Sequence, residues 1–213
     1  MHTNYQINTV TDRSKRIFDL LFSIVGLLVT ATLFPLIALA IKLDSPGPIF
    51  FKQLRIGRAT PDHIKLFEMI KFRTMVNDAE RKTGATWAKK QDFRVTAVGN
   101  FLRKTRLDEL PQFVNVLYGE MSIIGPRPER PGFYSKLENA IPFFAERTYG
   151  VTPGITGLAQ VSQGYDTCVE DVRSKVGFDH RYALALSDPF SWVKMDLAIM
   201  FRTLAVMLLG RGQ

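Results

Sequence analysis

The longest break in the alternation of polar and apolar positions runs from Leu20 to Ile41, 22 residues without a charged side chain. At about 1.5 Å of rise per residue, a helix of that length matches a bilayer core about 30 Å thick. A buried core helix usually carries a polar stripe, which this run lacks. Arg13, Lys15 and Arg16 with Ala38-Leu39-Ala40 imitate a cleaved signal, but the apolar region is longer than such signals use. Both flanks are basic: Arg13, Lys15 and Arg16 before, then Lys42, Lys52, Arg55 and Arg58 after. Positive flanks tend to stay cytoplasmic, which asks both ends to lie on one side. Pro35 removes a helix hydrogen bond and clashes with the preceding turn, so it predicts a break, with Thr30 and Thr32 near enough to serve the freed carbonyls. Two geometries stay open on this pattern, a span and a re-entrant helix.

The rest of the chain predicts shorter elements. Residues 1–12 read as a flexible leader, 13–45 as the membrane helix, and 46–213 as a catalytic domain. Asp44-Ser-Pro-Gly-Pro48 is a turn cluster, followed by a short strand at Ile49–Phe51 and another at Ile64–Ile70. Residues 77–92 read as a loop or short helix and Leu110–Leu117 as a helix. Residues 133–147 predict a helix interrupted near Pro142, and Pro153-Gly-Ile-Thr-Gly157 predicts a turn. Ser191–Leu209 has apolar residues at helical spacing broken by Lys194, Asp196 and Arg202. It is too charged to span, and suits either an amphipathic helix on a membrane or an ordinary packed one. There is no internal repeat. The chain is long enough for one domain with a real core.

Charge sharpens this reading. The chain carries +8 overall. Residues 52–106 hold 14 Lys and Arg against 5 Asp and Glu, while the remainder is nearly neutral. A basic block beside a membrane segment suits anionic headgroups or a phosphate-bearing substrate. One cysteine, Cys168, excludes an intrachain disulfide and a Cys-rich zinc site, and His2, His63 and His180 are scattered. Any metal should be a hard cation held by oxygens.

The most informative stretch is Arg103-Lys-Thr-Arg-Leu-Asp-Glu-Leu-Pro111. Adjacent carboxylates, Asp108 and Glu109, follow three cations, and Pro111 suits a first helical turn. The bland alternative is a capping carboxylate with a neighbour in solution. Arg127, between Pro126 and Pro128, argues against it, because the prolines fix the backbone and aim a guanidinium suited to phosphate. Carboxylates, a hard cation and arginines are what phosphoryl transfer needs. Lys71 and Arg73 form a second basic candidate, against strand-edge charge. Gly154, Thr156 and Gly157 form a loop that could approach a nucleotide closely.

In order along the chain, Lys15-Arg-Ile-Phe-Asp19, Lys71-Phe-Arg-Thr-Met75, Leu107-Asp-Glu-Leu-Pro-Gln112, Met121-Ser-Ile-Ile-Gly-Pro-Arg-Pro128 and Pro153-Gly-Ile-Thr-Gly157 jointly resemble the bacterial sugar transferases. These are the monotopic phosphoglycosyl transferases that prime glycan synthesis on undecaprenyl phosphate. The resemblance covers roughly residues 13–209. It implies an α/β monotopic membrane protein with a re-entrant helix broken at Pro35, a small α/β catalytic domain and amphipathic surface helices. It implies transfer of a sugar-1-phosphate from a UDP-sugar to undecaprenyl phosphate, with release of UMP, at the cytoplasmic face of the bacterial inner membrane. Asp108 would be the nucleophile, Glu109 its Mg²⁺-linked partner, with both as metal ligands. Arg103 and Arg127 would lie near phosphate. Membrane lipids are implied partners, nucleic acid is not, and a homodimer is left open. Phe34 replaces a frequent Ser before the proline, and Ser162-Gln-Gly-Tyr-Asp166 departs from the family's loop. The rivals are a membrane-anchored nucleic-acid-binding protein and a non-catalytic assembly scaffold. The first leaves the Asp-Glu and Pro-Arg-Pro set unexplained, and retention of both carboxylates argues against the second.

Overall fold

A computed structural model describes residues 7–80, 84, 86, 92–163 and 168–209. Helix α1 (Thr9–Thr30) starts where the Asn8 side chain accepts a hydrogen bond from the Val10 N–H, 2.8 Å. Thr9–Asp12 are therefore helical, and the leader expected over 1–12 is shorter by that turn. Helix α2 (Leu33–Asp44) follows at a bend of 63°. Pro35 sits in its first turn, where a missing N–H is tolerated. The bond it cannot make is the one back to the carbonyl of Ala31, so the ladder fails at Ala31 and Thr32, just ahead of the proline. The Thr30 hydroxyl bonds the Gly26 carbonyl at 2.7 Å; Thr32 makes no capping bond, contrary to expectation. No single described helix is long and apolar enough to cross a membrane, but this bent pair together meets that test by length and composition.

Helix α1 is amphipathic in reverse. Thr11, Lys15, Asp19 and Ser23, four apart and so on one face, are buried against the domain. Leu28 and Val29 are each 72% exposed, and Leu21, Val25 and Ile17 also face outward.

Strands β1 (Phe50–Ala59) and β2 (Ile64–Phe72) form an antiparallel hairpin, Phe50 opposite Phe72 and Leu54 opposite Glu68, with an irregularity between Ile56 and Ala59. β1 is much longer than the expected Ile49–Phe51, because it is built by pairing across the hairpin more than by its own alternation. Then come α3 (Ala97–Thr105), a 3-10 turn (Leu107–Glu109), α4 (Gln112–Leu117), β3 (Ser122–Ile124) and α5 (Pro131–Ala140). α5 stops before Pro142, whose predecessor Ile141 is forced extended. β4 (Gly154–Thr156) lies parallel to β3, so the expected turn at Pro153–Gly157 is a strand. Helices α6 (Leu158–Ser162), α7 (Val169–Ala185) and α8 (Pro189–Leu208) complete the mixed helix and sheet domain.

The main core gathers Phe67, Met69, Val116, Ile124, Tyr182 and Ile199 from β2, α4, β3, α7 and α8. A smaller cluster packs Ile37 and Ile41 of α2 on Phe72 and Leu102. α8 buries Trp192, Asp196 and Ile199 and exposes Phe201, Leu204 and Leu208. Of the departure at Ser162–Asp166, residues 164–166 lie outside the described residues.

Candidate active site

Strand β2 carries Lys71 inward, because Phe67 and Met69 occupy the same face two residues apart and are core. The Asn115 amide of α4 fixes this strand: its Nδ2 donates to the Glu68 carbonyl at 2.8 Å, and its Oδ1 accepts from the Ile70 N–H at 3.0 Å. From the other side, α3 ends at Arg106 in the left-handed region, φ 60 and ψ 13. A non-glycine residue there costs on the order of 1–3 kcal/mol and persists only when its surroundings demand it. Here it reverses the chain into the 3-10 turn that buries Asp108 and Glu109 side by side.

Lys71 Nζ donates to Glu109 Oε1 at 2.7 Å and stands 4.0 Å from Asp108 Oδ2. Arg106 Nη1 is 3.5 Å from Glu109 Oε2, and Arg127 Nη1 is 3.9 Å from Oε1. The two carboxylates therefore have opposite surroundings. Burial pushes the Glu109 pKa up, but Lys71, Arg106 and Arg127 outweigh it and hold the pKa at about 2. Burial also raises Asp108, and there it wins: Lys71 opposes it only partly, while the Glu109 charge adds to it. Asp108 accepts no hydrogen bond from a described residue. Burial in turn depresses Lys71, with Glu109 and Asp108 pulling the other way. Adjacent groups driven apart in acidity are a mark of divided chemical roles.

The backbone on either side of Arg127 is pinned. The Pro126 carbonyl accepts from the Gly154 N–H at 2.9 Å, and the Pro128 carbonyl from Arg55 Nη1 at 2.8 Å. The prolines thus serve as supports for a half-buried guanidinium. Arg103, in the last turn of α3, forms no ion pair with a described residue and reaches Asp108 only through its charge.

One expected substrate contact, Arg73, is held away from the carboxylates. Arg73 is buried 5% exposed, donating to the carbonyls of Pro46, Pro48 and Ser45 and to the Ser45 hydroxyl, so it locks the turn after α2. Alternation alone would put residue 73 on the face of Lys71, but β2 ends at Phe72, so Arg73 is no longer bound by that pattern and reaches the turn after α2. Gly154 and Gly157 are required by backbone packing: a Cβ would lie 2.0 Å from the Gly125 nitrogen or 2.2 Å from the Gly125 oxygen. Thr156 bonds Thr203 of α8 at 2.7 Å and lines a cavity that also touches Glu109.

Among the described residues, no group of three or more His, Cys, Asp or Glu side chains is placed to hold a metal ion. Asp108 and Glu109 alone are hard oxygen donors here. Two carboxylates match the sparse protein contribution typical of magnesium, which takes its other ligands from substrate phosphates and water.

Two residues of weight were not singled out from the sequence. Arg106 was visible only as one of three cations, and Asn115 looked like an ordinary helix residue. No local pattern distinguishes either.

This arrangement is a carboxylate pair set in a cationic pocket. Residues 10–210 match the family model described as bacterial sugar transferase, and the chain belongs to that family. It is 42% identical over 198 residues to the UDP-N-acetylgalactosamine-undecaprenyl-phosphate N-acetylgalactosaminephosphotransferase of Aeromonas hydrophila, covering 93% of this chain and 44% of that protein. It is 40% identical to the UDP-glucose:undecaprenyl-phosphate glucose-1-phosphate transferase of Escherichia coli K12, covering 89% of this chain and 39% of that one. It is 38% identical to the exopolysaccharide production protein PSS of Rhizobium leguminosarum, covering 93% and 96%. The chain thus spans less than half of the first two relatives and nearly all of the third.

Proposed function

We propose that this chain transfers a sugar-1-phosphate from a UDP-sugar to undecaprenyl phosphate, releasing UMP and priming a bacterial glycan. The observation that carries this reading is the split pair: Glu109 fixed as an anion by three cations, and Asp108 beside it buried, its pKa raised, with no hydrogen bond from a described residue. A carboxylate freed from strong partners keeps its nucleophilicity. In the first step Asp108 Oδ attacks the β-phosphorus. The new aspartyl O–P bond forms as the bond from the β-phosphorus to the bridging oxygen breaks, and that oxygen leaves on UMP. In the second step a phosphate oxygen of the lipid attacks the same phosphorus, and the carboxylate is released unchanged. Dividing one attack of anion on anion into two steps is the usual gain from a covalent nucleophile. Arg127 and Lys71 meet the diphosphate charge. Magnesium, held by Asp108 and Glu109 with the diphosphate, would neutralise further charge.

The same reading places the protein at the cytoplasmic face of the inner membrane, with α1 and α2 re-entrant. An outward apolar face on α1 costs free energy in water and is suited to lipid. Polar anchors at Lys15 and Asp19 favour holding α1 against the domain.

The test is UMP release from a panel of UDP-sugars with undecaprenyl phosphate. One donor should give lipid-dependent UMP, abolished by EDTA. No lipid-dependent release with any donor sinks the reading, and salt-dependent DNA binding in its place would favour a basic membrane anchor. For topology, Thr9→Cys and Lys52→Cys, each without Cys168, should both resist an impermeant thiol reagent until the inner membrane is opened. Labelling of one alone in intact cells would show a span.

A further inference from the structure

A cavity of about 290 Å³ lies between α1, α4 and α8, immediately beside the carboxylate pair. One end is charged, lined by Arg106 and Glu109; the walls are Phe113, Met200 and Val206, and the other end is Phe22, Leu204 and Met207. Phe22, Leu204 and Met207 also belong to the exposed apolar faces of α1 and α8. Two of the polar groups in the wall bond each other or the backbone: Thr203 donates to the Ile199 carbonyl at 2.8 Å, and Thr156 therefore donates to Thr203. Gln160 Nε2 donates to the Ile155 carbonyl, while its buried Oε1 has no partner among the described residues. Such a space admits an apolar chain with an anion at its inner end and an exit toward lipid.

We infer that this cavity is the acceptor subsite, taking the first isoprenoid units of the polyprenyl phosphate with its phosphate against Arg106. The inference rests on the proposed function and adds the place and orientation of the second substrate. Three observations favour this occupant over a general lipid. The charged lining is Arg106 paired with Glu109 at 3.5 Å, and the guanidinium gives an anionic headgroup its contact there, so an amphiphile enters charge first. Its volume, about 290 Å³, is at the small end for ligand pockets and suits a segment of one chain, whereas a phospholipid brings two. Its charged end shares Glu109 with the reacting pair, so a phosphate there lies next to the phosphorus that Asp108 would carry. Arg106, held in a left-handed conformation, is the only cation of the described residues that lines this cavity.

The experiment uses the full chain in nanodiscs. Val206→Trp fills the cavity from α8. It should raise the KM for undecaprenyl phosphate at least tenfold while shifting the KM for the UDP-sugar less than twofold; equal shifts, or none, would overturn the subsite. A benzophenone-bearing prenyl phosphate, photolysed with the wild-type chain, gives a readout independent of that variant. Crosslinks should fall on peptides containing Phe22 or Leu204–Met207, and excess phosphatidylglycerol should not displace them. Crosslinks on α2 or the β1–β2 hairpin, or full displacement by the phospholipid, would overturn it. Lipid-dependent UMP release with crosslinks elsewhere fails the subsite and leaves the activity standing. Crosslinks in the cavity without UMP release from any donor do the reverse.

Discussion

The domain holds two buried carboxylate clusters, and they are built differently. Under α1, Asp196 accepts from Lys15 Nζ at 3.2 Å, Trp192 Nε1 at 2.7 Å and Tyr182 Oη at 3.0 Å. Nearby Asp19 accepts from the Ser122 hydroxyl and the Ile123 N–H at 3.0 and 2.9 Å. Arg16 adds bonds to the Val116 and Leu117 carbonyls, which close the open end of α4. Here each carboxylate oxygen that matters is met, and the cluster joins the apolar helix to the domain. In the other cluster, Glu109 collects the cations and Asp108 collects almost nothing. A fully bonded buried charge is a joint. A buried charge left without hydrogen bonds beside cations stores reactivity.

The strongest way to break that contrast is Asp108→Asn. UMP release should fall by about four orders of magnitude, the scale on which nucleophile losses fall. The same change should raise the melting temperature at pH 7. The Asp108 pKa is above its ordinary 3.8, so its contribution to stability is full below that value and declines as pH rises. The gain should therefore vanish near pH 3. Unchanged turnover would leave Asp108 without a covalent role.

Lys15→Met tests the joint. It leaves Asp196 buried without its ion pair, which typically costs about 3–5 kcal/mol. Denaturant unfolding should show that loss, while turnover per folded molecule stays close to wild type. A loss of turnover with full stability would mean that the two clusters are not separable.

Arg127→Ala should lower kcat/KM by about 10²–10³, the usual effect of removing one charge-stabilising donor. Arg127→Lys should recover little, since an ammonium lacks the planar fork. Full recovery would show that a point charge suffices.

These contrasts also mark what could be read from the chain beforehand. The apolar run, the basic flanks, the Asp108–Glu109 pair and Arg127 were all legible, because each is a local signal of composition or spacing. The reverse amphipathicity of α1 was not. Its four polar residues continue a stripe from the charged lead-in into the apolar run, and their burial depends on α8 and β3, far away in sequence. Gly154 and Gly157 show a second reason that the chain alone does not reveal. A glycine pair reads as a ligand loop, but here both glycines answer the close passage of the Gly125 backbone. Helix α7 has little apolar periodicity and is held by tertiary contacts such as Arg147 Nη1 to Asp179 at 2.7 Å. Nothing local announces such a pair.

Lys71 and Arg73 give the finest comparison, since both come from one motif and the structure divides them. Lys71 faces the carboxylates; Arg73 is occupied by four backbone and side-chain oxygens around Ser45. Asp108 must be ionised to attack, so the acid limb of kcat against pH follows its pKa in the substrate complex. Burial raises that pKa, and the Lys71 charge is the largest influence opposing it. Lys71→Met should therefore move the acid limb to higher pH, beyond any loss of rate. Arg73→Met should lower stability by loosening the turn after α2 and leave the limb where it is. The measurement is UMP release across pH at saturating substrates, with unfolding followed in parallel. If Lys71→Met leaves the limb in place, the ammonium pairs with Glu109 alone, and the ionisation of Asp108 is governed by burial.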